Sequence, residues 1–520
     1  LLARLAGRML GPEELQSLLG KGVARPVHAQ TGGAQHTGHV QTGDAGRNEA
    51  AWKRYVQYAY LQGRLQWING VISRPKRMFG LIATGSEHRC SRCGSGRLHW
   101  TDCSNCGTLC PYCEDCLTMG RVRYCTPLVY SIDRPERRPA REFGRNTAPG
   151  PPSAERILER WSLSPAQKEA SAAGIRFLSS AADPKMKRGE TVAGGFLIWA
   201  VTGAGKTEMI FPLIDFELER GGLVCVATPR RDVVLELKPR IEKVFPDRSV
   251  VTLYGGSEQR WEQGEVTIAT THQLLRFRHR FDLVIIDELD AFPYHNNPML
   301  EYAAARACKP EGRYIFLSAT PPRHLVSAAR TGKLPHVKVP VRFHRHPLPV
   351  PVCIKIKPLD KLLALNRLPQ NLQTAIRASL ERGAQLFVFV PAIRLVEPLV
   401  KLLERSFPSV PIEGTSSRDA ERTSKVQRFR DGAIRLLVTT TILERGVTVP
   451  KTDVFILDAD SALFDEAALV QMSGRAGRSK DDPAGRVFFA APVKTASQLR
   501  AIRQIRAMNR LARRKGFLAT

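Results

Sequence analysis

At 520 residues the chain exceeds one domain of about 150 residues and should hold two to four. Lys and Arg number 78 against 49 Asp and Glu, a formal net charge of +29, which suits a polyanionic partner, nucleic acid ahead of anionic lipid. Hydrophobic residues at 43 % exclude wholesale disorder, and the longest apolar runs, 283–286 and 386–390, are strand-sized and far short of a membrane span.

In chain order, residues 1–22 carry an apolar patch broken by Glu13 and Glu14 and no start Met, which reads as a truncated start without a secretory signal. Residues 1–50 are expected to form a flexible arm. Trp, Tyr and Leu at near-helical spacing predict a helix over 52–67, opening a module that runs over 51–132. Of 11 cysteines, eight fall between Cys90 and Cys125. Crowded Cys-x-x-Cys pairs indicate metal binding in a reducing compartment rather than secreted disulfides. A Pro- and Arg-rich linker is expected over 133–160.

Beyond it, short apolar runs alternate with amphipathic helices. Strands are expected at 196–200, 223–227, 250–253, 266–269, 283–286 and 314–317, then at 386–390, 436–439, 454–457 and 487–490. Such runs fit buried parallel strands with helical crossovers. The pattern predicts two α/β domains, 161–340 and 341–495, joined by a basic, Pro- and His-rich connector at 333–358. A basic C-terminal helix is expected within 496–520.

The run Ala200-Val201-Thr202-Gly203-Ala204-Gly205-Lys206-Thr207 lies between a strand and a helix, the context a phosphate-binding loop needs. Backbone N–H groups wrap the phosphates, Lys206 reaches the β/γ oxygens and Thr207 ligates Mg²⁺. Ala200 replaces the usual first glycine, which is tolerated if that residue keeps φ below zero. A buried strand then ends in Asp287-Glu288-Leu289-Asp290, where Asp287 suits the metal and Glu288 the attacking water. Gln167 stands ahead of the loop, where an amide can read adenine. Ser318-Ala319-Thr320 follows a strand, and so does Glu444-Arg445-Gly446-Val447. Arg475 and Arg478, one helical turn apart, suit transition-state charge on a γ-phosphate.

Hydroxyl-bearing strand ends are the candidate nucleic-acid contacts: Thr228-Pro229-Arg230, Thr270-Thr271, and Thr440 with Arg445. The cysteine pairs fit tetrahedral zinc better than an iron–sulfur cluster. Eight thiolates suffice for two ions, spacing alone does not fix their partition, and His88 and His99 are spare ligands.

The order of these motifs resembles superfamily 2 helicases and translocases. That resemblance implies two RecA-like parallel-sheet lobes with ATP as cofactor. Leu289 and Gln471 set the chain apart from the DEAD-box RNA helicases, and Thr448 stands where many relatives are acidic. The cysteine module ending in Tyr112-Cys113-Glu114-Asp115-Cys116, the run 199–209, Ala227–Leu237 as a stretch (227–237), and the runs 287–294 and 439–450 resemble the ComFA family of late competence proteins. The resemblance implies an ATP-dependent, Mg²⁺-using translocase on single-stranded DNA. It also implies cytoplasmic placement at the inner face of the membrane, beside a DNA-uptake channel and other competence proteins. It assigns one zinc to Cys90, Cys93, Cys113 and Cys116, and a second at Cys103, Cys106, Cys110 and Cys125 extends it. A duplex-unwinding helicase of the replication-restart type and a non-catalytic DNA-binding scaffold are the alternatives, and homo-oligomerisation is left open.

Overall fold

A computed structural model describes residues 2–20, 44–78, 81–132, 153–180, 194–445, 449–480 and 482–519. Internal contacts divide the chain into two compact units. The first comprises Leu1–Ser153, Leu178–Phe196 and Ile214–Phe316, the second Ala154–Phe177, Leu197–Leu213 and Leu317–Thr520.

The N-terminal part of the first unit is built from short antiparallel pieces. Its strands are β1 (Met9–Leu10), β2 (Leu65–Asn69), β3 (Val71–Met78), β4 (Leu81–Cys90), β5 (Leu98–Asp102), β6 (Leu109–Cys113) and β7 (Pro127–Ser131). They form a sheet in the order β1-β7-β2 and two ribbons, β3-β4 and β5-β6. Residues 2–20 depart from the expected flexible arm. Helices Leu2–Leu5 and Pro12–Gly20 bracket β1, and Leu5, Leu10, Leu15 and Leu18 join Val56, Ala59, Leu65 and Val129 in one core. Their spacing buries one apolar face of each piece, which offsets the entropy of ordering it. Residues 44–50 of the expected arm are helical too, opening helix Asp44–Leu61, and 21–43 lie outside the described residues. The predicted helix ends earlier than expected, at Leu61 of helix Asp44–Leu61. Gly63, at φ +71, turns the chain, so Trp67 belongs to β2.

Seven strands form the first large sheet: β8 (Gly195–Ala200), β9 (Val224–Thr228), β10 (Val250–Leu253), β11 (Val266–Thr270), β12 (Phe281–Ile286), β13 (Cys308–Ser318) and β14 (His336–Val339). Their order is β10-β11-β9-β12-β13-β8-β14. β8, β9, β11 and β12 are buried along their whole length, as helical crossovers on a parallel sheet require. The second sheet holds β15 (Val352–Lys355), β16 (Gln385–Phe389), β17 (Ile412–Thr415), β18 (Leu436–Thr439), β19 (Thr452–Leu457) and β20 (Val487–Ala491), in the order β15-β20-β19-β16-β18-β17, all parallel. Its two faces feed separate cores. Leu386, Val388, Leu436 and Val438 point one way, Phe387, Phe389, Leu437 and Ile456 the other, following the two-residue period of a strand. These are the two RecA-like lobes expected from the motif order.

The expected connector contains β14 and β15, both on sheet edges, where a basic, His-containing sequence is tolerated because one side stays wet. The end of the expected linker is helix Ala154–Glu159, with Ile157 and Leu158 buried; residues 133–152 of it lie outside the described residues. Helix Ala496–Arg514 buries Ile502, Ile505 and Met508 while Leu499 is exposed. No helix among the described residues is long and apolar enough to cross a membrane.

Candidate nucleotide site and metal centres

In parallel α/β sheets, ligands gather at the carboxyl ends of the strands. Ala200 ends β8 fully buried and is not among the residues with positive φ, so the missing first glycine costs nothing in backbone terms. Gly203 and Gly205 adopt φ +78 and +74, which glycine reaches without strain. The chain then enters helix Lys206–Glu219 at once, so Lys206 and Thr207 occupy its first turn, where outward N–H groups and the helix dipole favour phosphate. A Cβ on Gly205 would stand 2.3 Å from Gln167 Nε2. This loop fits a nucleotide phosphate.

Gln167 sits deeper than the adenine-reading expectation supposes. It is buried, and its Nε2 donates to the carbonyls of Ala204 at 3.0 Å and Gly205 at 3.3 Å, while Oε1 accepts from Ser164 N at 2.9 Å. Both of its donor hydrogens are therefore engaged by the phosphate loop. In this geometry Gln167 braces the loop.

In the second unit Gly474 meets this loop, and the other motif residues bond among themselves. Thr202 packs so closely on Gly474 that a Cβ there would lie 2.1 Å from Thr202 Oγ1. Gln471 Nε2 donates to Thr320 Oγ1 at 3.0 Å, and Thr320 N donates to Ser318 Oγ at 2.9 Å. Arg475, buried, donates from Nε to the Glu444 carbonyl at 2.9 Å, and Arg478 Nε donates to Gly474 O at 2.8 Å. Gly446, Val447 and Thr448 lie outside the described residues.

Arg342 is the residue that sequence reading missed. Fully buried, it donates to the carbonyls of Ala476 at 2.6 Å, of Gly474 at 3.4 Å and of Gly477, and the next residue, Phe343, donates its N–H to Gly203 O at 3.1 Å. Burial, helped by the charge of Arg478, pushes its guanidinium down to about 9. Arg342 thus ties the phosphate loop's neighbourhood to the two-arginine loop and lines a cleft with Val201, Thr202, Ala319, Ser473 and Gly474. No sequence signal marked it: an arginine among His, Pro and basic residues looks like a solvated connector.

In the first unit, Asp287 and Glu288 follow β12. Asp287 is buried, its N–H donates to Ala227 O at 2.8 Å, and its Oδ1 accepts from Glu288 N at 2.8 Å. Glu288 has φ +54, a left-handed conformation that costs a non-glycine residue about 1–3 kcal/mol and concentrates at functional sites.

The expected nucleic-acid contacts lie mostly in the interior. Thr228, Pro229, Thr270 and Thr271 in the first unit, and Thr440 and Arg445 in the second, are all buried; of these candidates only Arg230 is partly exposed. The hydroxyls of Thr228 and Thr271 are fully interior and have no hydrogen-bond partner. The reason is local: strand ends in this sheet run directly into helical turns, Thr271–Arg276 among them, that cover the side chains.

The cysteines assemble into two sets of four, Cys90, Cys93, Cys113 and Cys116, and Cys103, Cys106, Cys110 and Cys125, with the ligand atoms of each set within 4.8 Å of one another. Sulfur–sulfur distances of 3.8 Å (Cys90–Cys116), 3.4 Å (Cys93–Cys113), 3.6 Å (Cys103–Cys125) and 3.8 Å (Cys110–Cys125) approach the edge of about 3.8 Å implied by tetrahedral Zn–S bonds of about 2.3 Å. Gly94 and Gly107, both at positive φ, close the two knuckles, with N–H groups donating to Cys90 O and Cys103 O at 2.8 Å. All eight thiols are free. Hydrogen bonds among the first four, that with Cys113 foremost, drive Cys90 far down and Cys93 far up, a competition for charge that a divalent cation would relieve. Both sets could hold a metal. The first is buried; in the second, Cys106 is exposed. Neither His88 nor His99 belongs to them.

Comparisons with known proteins agree with this architecture. The family model for the Competence protein ComFA N-terminal domain matches residues 57–130, that for DEAD/DEAH box helicases 181–328, and that for the helicase conserved C-terminal domain 364–480. The second match holds in spite of Leu289 in the acidic box. Competence protein ComFA of Bacillus subtilis is 39 % identical over 431 residues, covering 82 % of this chain and 86 % of the relative. ComFA of Streptococcus pneumoniae is 39 % identical over 401 residues, covering 77 % and 86 %. Among solved structures, the Mycobacterium smegmatis helicase Lhr bound to ssDNA and AMP-PNP is 19 % identical with a TM-score of 0.46, covering 68 % of this chain and 50 % of that one. The helicase domains mark an ATP-dependent, Mg²⁺-using hydrolase of the helicase type that binds nucleic acid, and the ComFA relatives mark a role in competence. By sequence identity over most of its length, the chain belongs to the ComFA family of competence proteins.

Proposed function

We propose that the protein is a single-stranded DNA translocase that uses ATP to draw DNA into the cell during natural transformation. The observation that supports this best is the order of parts: a cysteine module precedes two helicase lobes in a chain that shares 39 % identity with two ComFA proteins. Lys206 and the N–H groups of the loop hold phosphate, Thr207 and Asp287 are the ligands available to Mg²⁺, and Glu288 orients water. Bound Mg²⁺ supplies charge neutralisation on the phosphates. Arg475 and Arg478 stabilise negative charge that develops in the transition state. Zinc occupies both cysteine sets. The protein works at the inner face of the membrane, beside the uptake channel.

The deciding measurement is steady-state ATP hydrolysis alone and with single-stranded DNA, duplex DNA or RNA, paired with displacement of streptavidin from end-biotinylated single strands. Stimulation and displacement by single-stranded DNA support the motor. Stimulation confined to duplex or forked DNA would favour an unwinding helicase, and no stimulation by any of them a scaffold.

A further inference from the structure

Six of the nine exposed large aromatic side chains among the described residues lie in the N-terminal module: Tyr55, Tyr58, Tyr60, Trp67, Trp100 and Tyr124. Helix Asp44–Leu61 explains part of this. It turns Val56 and Ala59 into the core, which leaves Arg54, Tyr58 and Leu61 on the opposite side and Lys53 and Tyr60 along one flank. On that flank Tyr60 lies flat against Trp67 of the edge strand β2, with ring centroids 4.3 Å apart and planes 9° from parallel. Tyr60 covers one face of the indole, yet Trp67 stays 47 % exposed. A stacked pair ending at solvent is one more ring short of being closed.

The sequence running through the pair carries charge of one sign. Between Ala51 and Ser86 the sequence carries Lys53, Arg54, Arg64, Arg74, Lys76 and Arg77 and no Asp or Glu. Three of these lie on β3, whose ribbon with β4 follows β2 after a single residue, Gly70. On that ribbon Arg74 stands opposite Glu87, which leaves Lys53 on the Tyr60 flank and Arg64 just ahead of β2 as the cations nearest the pair in the chain. Cations beside a solvent-facing aromatic stack are the combination that holds single-stranded nucleic acid: phosphates along the cations, a base on the ring.

We propose that the Tyr60–Trp67 stack of the N-terminal module is a single-stranded DNA-binding site, with one base extending the stack on the outer face of Trp67 and the phosphates running along Lys53 and Arg64. This rests on the reading of single-stranded DNA as the motor's substrate and gives that substrate a gripping point outside the helicase lobes. A base fits better than a lipid surface here. The rings are polar-tipped Tyr and Trp already stacked flat, with Leu61 and Ile132 the exposed long aliphatics near them, whereas an interfacial helix presents a broad apolar face.

The test uses the full chain without nucleotide and follows binding by fluorescence anisotropy of a labelled oligothymidylate. Trp67→Ala and Trp67→Phe are compared with the natural protein, and a duplex and phosphatidylglycerol vesicles serve as rival ligands. Removing one stacked base contact should weaken oligothymidylate binding about 5- to 100-fold. Trp67→Phe, which keeps a ring, should restore most of the loss, and duplex binding should be unchanged. Equal affinity of Trp67→Ala and the natural protein would overturn the site while leaving the motor reading intact. A loss confined to vesicle binding would overturn it in favour of a lipid surface. Failure of the natural protein itself to bind oligothymidylate would overturn both readings.

Discussion

The guanidinium of Arg306 donates to the carbonyl of Ser91 at 2.8 Å, and Ser91 lies within the Cys90–Cys93 knuckle. The same buried side chain donates to Leu275 O at 2.5 Å and Phe277 O at 3.2 Å, and its helix, Pro298–Ala307, also carries Tyr302, against which Gly94 of the knuckle packs. Glu14 adds a second tie, accepting from Arg92 at 3.1 Å and from Arg276 at 2.8 Å. The helix follows the Asp287–Asp290 box by a few residues. The first cysteine set and the acidic box are thereby parts of one packed body.

Arg306→Met should therefore destabilise the protein by about 3–5 kcal/mol, because three buried carbonyls lose their partner at once. Urea unfolding followed by tryptophan fluorescence measures it. A loss under about 1 kcal/mol, the range of an exposed contact, would show that the bonds are not maintained in solution.

Metal content separates the two cysteine sets. Mass spectrometry of the natural protein should give about two zinc ions per chain, one for each set of four thiols. Cys113→Ser and Cys125→Ser should each remove one. A chelator should strip the second set first, since Cys106 is exposed while all four thiols of the first set are buried. Full retention in either variant would remove that residue from its set.

In the phosphate loop, Lys206→Ala should abolish ATP turnover while leaving DNA binding, by loss of the cation on the β/γ oxygens. Gly205→Ala should lose nucleotide affinity for a different reason. Its backbone holds φ +74, and the added methyl would meet Gln167 Nε2 at 2.3 Å. Turnover and nucleotide binding by equilibrium dialysis distinguish them. Unchanged turnover in Lys206→Ala would unseat the loop.

His344 gives a pH signature. Burial, then the charge of Arg342, hold its imidazole down at about 4 from an ordinary 6.5, and its Nε2 lies 3.2 Å from Gly477 O in the two-arginine loop. The folded protein keeps this ring neutral while the unfolded chain takes up a proton. Its contribution is complete above pH 6.5 and declines as pH falls from there toward 4. The melting temperature should drop across that window, and His344→Asn should flatten the drop. Superimposable profiles would place the pH dependence elsewhere.

Much of the architecture was legible because it is periodic. β10 and β18 fall on their expected ranges, and β8, β9, β16 and β20 within one residue of them, since strands buried on both faces have to be continuous apolar runs. β14, β15 and β17 were not legible. They are four residues each, at or near sheet edges, and His336, Lys338 and Gly414 break the apolar run.

The sequence by itself determined the order of the motifs, the positions that need glycine in the phosphate loop, and the family, because each is written in contiguous residues whose backbone demands are local. Tertiary structure alone decided what those residues touch. It spent Gln167 on the loop carbonyls, buried Thr228 and Thr271, brought Arg342 onto Gly474–Gly477 from more than a hundred residues away, and sorted eight thiols into two sets. Hydrogen bonds and close packing across such separations depend on where sheets and turns bring the chain together, and no local pattern encodes them.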